Sequence, residues 1–140
     1  MKLVDFIICD DIRQEVANKV TLVGVYNEKI EFASLANAEL IFPLAVKLGF
    51  YIRCLVEPKD VIGNRFELIF AHDGEELTRF VGPFEAKDRK DFFSFTIGAS
   101  AFPIKGPGML RVKLNLFEDQ KLLHEIVPSY GITILVRKTE

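Results

Sequence analysis

The chain has 140 residues, a net charge of −2, and Lys, Arg, Asp and Glu mixed along its length, which suits one domain spanning 1–140. No basic tail or stripe favours nucleic acid, no apolar run approaches the roughly 18 residues of a membrane span, and two Cys make no disulfide framework. The N-terminus, MKLVDFIICDD, carries Asp5 inside its apolar stretch and lacks the apolar region and cleavage site of a signal peptide, so a reducing cytoplasm is the expected location.

Leu3–Cys9 reads as a first strand with Val4, Phe6 and Ile8 inward. Asp10–Lys19 is the most polar segment and reads as an extended loop, or as one helical turn begun by Asp11. Val20–Tyr26 is β-branched and aromatic, with Gly24 marking a bulge or a close approach. Asn27-Glu28 turns the chain into Lys29–Phe32, and Ser34–Leu40 suits a short helix or an irregular crossover. After Pro43 comes the strongest alternation. Leu44, Val46, Leu48, Phe50, Ile52 and Cys54 face one way, and Ala45, Lys47, Gly49, Tyr51 and Arg53 the other.

Arg65–Ala71 follows with Phe66, Leu68 and Phe70 on one face. His72-Asp73-Gly74-Glu75 reads as a hairpin loop, because Asp-Gly supplies the positive φ angles of such turns. Leu77–Val81 returns, Gly82-Pro83 is expected to break pairing, and Phe84–Ala86 to reach an edge. The charged connection 87–91 leads to the alternating Phe93, Phe95, Ile97 and Ala99. Leu110–Leu116 and Lys121–Ile126 form a hairpin around Glu118-Asp119-Gln120. With that loop Leu116 meets Leu122, Val112 meets Ile126 and Lys113 faces Glu125. Ile132, Ile134 and Val136 make the last strand.

About eight short strands with one wet face each predict an all-β, antiparallel β-sandwich, immunoglobulin-like or jelly-roll-like in form, with at most one short helix. Cys9-Asp10-Asp11, Arg13, Glu15, Lys19 and Gly24-Val25-Tyr26, with a second segment at Gly106–Leu116, resemble a family of short, uncharacterised bacterial proteins. The resemblance implies an all-β fold and transfers no activity.

Asp10, Asp11, Arg13 and Glu15 form a candidate polar site. Their spacing is not that of a calcium loop, and basic residues sit among the acids, so a salt-bridged loop is expected rather than a metal site. His72 reads as a solvated turn residue, and His124 as facing Leu114. The two His and two Cys lack zinc spacing, and both Cys lie in strand patterns that suit inert buried thiols. No cofactor is implied. Tyr51, Phe92 and Phe117 fall on the wet faces of their strands and are the candidate interaction surface. A non-enzymatic structural or protein-interaction module is therefore expected, self-associating as a homodimer or binding another protein. A small-ligand or carbohydrate-binding sandwich is the alternative.

Overall fold

The structure, a computed structural model, describes residues 1–35, 37–85 and 91–138. Ten strands follow in order: β1 (Lys2–Gln14), β2 (Val20–Tyr26), β3 (Lys29–Ser34), β4 (Leu44–Leu55), β5 (Arg65–His72), β6 (Glu75–Pro83), β7 (Phe92–Ile104), β8 (Gly108–Glu118), β9 (Lys121–Ile126) and β10 (Ile132–Lys138). A four-stranded sheet has the order β2-β1-β4-β7, and a six-stranded sheet has the order β3-β10-β8-β5-β6, with β9 also on β8. The two sheets pack face to face as an open sandwich, not a barrel. The one helical piece among the described residues is a 3-10 turn at Val16–Asn18. No helix among them is long and apolar enough to cross a membrane. Residues 36, 86–90 and 139–140 lie outside the description, and with them most of the charged connection and the end of Phe84–Ala86.

The alternating residues close over one another as the two-residue period requires. Leu48, Phe50, Ile52 and Cys54 of one sheet meet Leu68, Phe70, Leu114 and Leu116 of the other, all buried. Four rings form the centre: Phe50 lies 4.6 Å from Phe70 and 5.4 Å from Phe102, and Phe80 lies 6.0 Å from Phe70, centroid to centroid. Offset and edge-on geometries at these separations favour aromatic pairs beyond the area they bury.

Several expectations need correction. Val4 is exposed, because the β1–β4 register shifts between Leu3 and Asp5 and displaces it from the inward row. Asp10–Gln14 is strand rather than loop: β1 stays paired with β2 through Gln14–Val20. β2 is an edge strand, so polar residues there meet water without loss. Pairing on β6 continues through Gly82 and Pro83. Proline is tolerated on an edge strand, which need not donate outward, and Pro103 on edge strand β7 is accommodated likewise. Among the described residues the antiparallel rule has one exception, since β3 runs parallel to β10 from Lys29–Thr133 to Ser34–Lys138.

The β8–β9 hairpin has a two-residue turn, Asp119-Gln120, so Glu118 pairs with Lys121. Beyond a bulge at Leu116/Phe117, Leu116 meets His124 and Leu114 meets Ile126, two residues from the expected register. An even slip keeps every side chain on its face. Lys113 and Glu125 therefore still approach to 4.0 Å, now on a diagonal. The Asp73-Gly74 turn is as expected, with φ of 47° and 87°.

Candidate functional site

Strand β8 has β5 along one edge from Leu110 to Phe117. Its other edge is divided. β10 covers Gly108–Leu110 and β9 covers Leu114–Glu118, so residues 111–113 have no strand partner there. Val127–Gly131 carries the chain across this gap. Pro128, which is buried, cannot extend the ladder. Gly131 lets the backbone return close to β8, where a Cβ would lie 2.7 Å from the Met109 sulfur and 2.8 Å from the Leu110 carbonyl oxygen. Between them, Tyr130 crosses to the opposite sheet and donates its hydroxyl to the Phe6 carbonyl at 2.8 Å.

Behind this strap lies a cavity of about 290 Å³ between the two layers. Phe6 and Ile8 of β1, Phe70 of β5 and Val112 of β8 form its apolar walls, and Val25, Tyr26, Asn27 and Arg111 reach its mouth. The Tyr26 hydroxyl donates to Asp10. Burial, then that bond, push the Tyr26 phenol up to about 12. A second hollow of about 350 Å³ lies across Ile69, Arg79, Arg111, Lys113 and Val127 and is more open to solvent.

The four polar residues expected to act together are split among different partners. Asp10 accepts from Tyr26 beside the cavity. Asp11 accepts from Lys47 at 3.1 Å and from the Ile12 amide at 3.0 Å, with Arg13 at 3.7 Å. The Lys47 hydrogen bond is the main reason that the Asp11 carboxyl is held below its ordinary range. Glu15 accepts from the Thr21 hydroxyl at 3.1 Å. Among the described residues no group of three His, Cys, Asp or Glu is placed to hold a metal ion.

The three aromatics are also divided. Tyr51 and Phe92 belong to the four-stranded sheet, and Phe117 to the six-stranded one. Tyr51 is half-buried between Ile7 and Thr96 in the register. Arg53 lies 5.2 Å from the Phe92 ring and Arg65 lies 4.1 Å from the Phe117 ring, so each of these two rings carries a cation over its face. Arg53 is itself held by Asp5 at 2.7 Å, a pairing that the strand pattern alone did not expose.

His72 is buried, not solvated. Its Nε2 donates to the Gly106 carbonyl at 3.2 Å, and a Cβ on Gly108 would lie 2.6 Å from that nitrogen. His124 lies opposite Leu116 rather than Leu114, and its Nε2 donates to the Val61 carbonyl at 2.7 Å. Each imidazole thus serves a backbone carbonyl rather than a thiol. Cys9 and Cys54 are fully buried. Burial raises both thiols, Cys54 to about 11, which suppresses the thiolate that reactivity requires.

The interlayer cavity itself was not anticipated from the sequence. Its signal was the pair Pro128 and Gly131, which interrupt the rhythm between Ile126 and Ile132. No family model matches this chain, and a search of curated proteins gives no match.

Proposed function

We propose that the protein is a non-enzymatic binding module that takes a small, mainly apolar ligand between its two sheets. The observation that supports this most is the cavity behind Tyr130. Its volume of about 290 Å³ falls just short of the range of ligand pockets, about 300 to 1,000 Å³. Its walls are aromatic and aliphatic, with a few polar groups at the mouth, as such sites require. At about 30 Å³ per water-sized group, the space suits a ligand of roughly ten non-hydrogen atoms. Octanol has that size. A ligand that binds only the folded state raises the melting temperature, by an amount set by its concentration over its dissociation constant. Octanol is expected to raise it for the native chain and not for Val25→Trp, whose indole fills the mouth. If octanol and benzene both leave the native melting temperature unchanged up to their solubility limits, the proposal fails.

A protein-interaction role is the second reading. Phe92, 47% exposed, is paired in register with Leu55, 37% exposed, at the β7 edge of the four-stranded sheet. An edge strand presents unpaired backbone groups to a second chain. Light scattering is expected to give a dimer for the native chain and a monomer for Phe92→Glu. A native monomer at high concentration would remove the self-association form of this reading.

A further inference from the structure

We infer that the cavity ligand is an amphipathic carboxylate, with an apolar tail between the sheets and its anionic head at Arg111. This inference rests on the ligand-binding reading above and specifies its chemistry.

Arg111 is the one charged residue among the described residues that line the cavity, at the stretch of β8 that has no strand partner on one side. It is exposed, and it also lines the outer hollow, so it stands where the interior space meets solvent. Its cationic neighbours around that hollow are already neutralised. Arg79 pairs with Glu76 and with Glu67 at 3.5 Å, and Lys113 lies 4.0 Å from Glu125. No ion pair or hydrogen bond engages the Arg111 guanidinium among the described residues, although it presents five donors in a planar fork. That fork matches a carboxylate in two-point geometry.

The other polar groups at the mouth do not compete for an anion. The Tyr130 hydroxyl is committed to the Phe6 carbonyl, and the Tyr26 hydroxyl to Asp10 on the β1–β2 wall. Asp10 also disfavours an anion on that side, which leaves Arg111 as the favoured end for the head group. A cationic amphiphile meets the reverse pattern, with Arg111 repelling its head.

Calorimetric titration with octanoate, octanol and octylammonium, three probes of the same chain length, tests the assignment at low salt. An exposed pairing of this kind corresponds to about a fivefold preference. Octanoate is expected to bind about fivefold more tightly than octanol, and more tightly than octylammonium. The preference is expected to shrink with added salt, because exposed charges are screened. Arg111→Gln is expected to abolish the preference for octanoate over octanol. Equal affinities in the native chain, or a preference that survives Arg111→Gln, would overturn the carboxylate assignment and leave the apolar site standing. Failure of all three probes to bind would remove the site itself.

Discussion

Gly24 offers a direct test of how the β1–β2 pair is held at the cavity's edge. The register pairs Cys9 with Val25 and Asp11 with Val23, which sets Gly24 across from Asp10. Gly24 has φ of +68°, and a Cβ there would fall inside contact distance of the Asp10 carboxylate, with its Cγ at 2.9 Å. Gly24→Ala therefore meets two separate costs. The left-handed backbone costs a residue with a Cβ about 1–2 kcal/mol. Asp10 can swing aside only by releasing the Tyr26 hydroxyl, and one such hydrogen bond is worth about 0.5–1.5 kcal/mol. Together they predict a loss of about 1.5–3.5 kcal/mol. In an Asp10→Ala background the carboxylate and its bond are gone, so the same change is expected to cost only the backbone share of about 1–2 kcal/mol. Urea unfolding of the four proteins in a double-mutant cycle measures the difference. Equal costs in the two backgrounds would refute the contact. A native-background cost under about 0.5 kcal/mol would refute the backbone reasoning as well.

Two further outcomes are expected. Phe102→Ala empties the centre of the four-ring cluster, where Phe102 is fully buried and 4.9 Å from Phe70. A loss of about 3–5 kcal/mol in urea is expected with an unchanged slope, and a loss under about 1 kcal/mol would place the ring outside the core. Asp11 has a lowered folded-state pKa through Lys47. Its stabilisation is thus present above the unfolded pKa and is lost as pH falls through the folded value. A carboxyl-carbon NMR titration is expected to show the Asp11 midpoint rise toward the ordinary value of about 3.9 in Lys47→Ala. The stability gap between the two proteins is expected to close in acid, and a midpoint that does not move would contradict the pairing.

What the sequence revealed followed from how much each feature depends on one residue and its near neighbours. Leu48, Phe50, Ile52 and Cys54 were legible because burial of one face imposes a two-residue period along the strand. Asp73-Gly74 was legible because its turn needs two positive φ angles. The β8–β9 register was not, since a two-residue slip leaves the inward set unchanged. Asp10–Gln14 hid its strand character because a strand near an edge tolerates polar residues on its wet face. The burial of His72 depends on Gly106 and Gly108, more than thirty residues away in the chain. Arg53 over Phe92 and Arg65 over Phe117 likewise depend on partners from other strands. The cavity is the extreme case. It arises from five elements at once and from a gap between β9 and β10 that local propensity does not encode.

The parallel pairing of β3 with β10 bears on how the molecule is made. Lys29–Ser34 has Thr133–Lys138 as its ladder partner, about a hundred positions downstream. A growing polypeptide leaving the ribosome at about 5–20 residues per second therefore exposes that segment for several seconds before its mate exists. During this interval its backbone groups are open to any extended stranger. The first sheet closes with Ile104 of β7, so nascent chains halted between there and Ile132 carry a finished layer with an unmated strand beside it. Such truncated products should be the ones that clump.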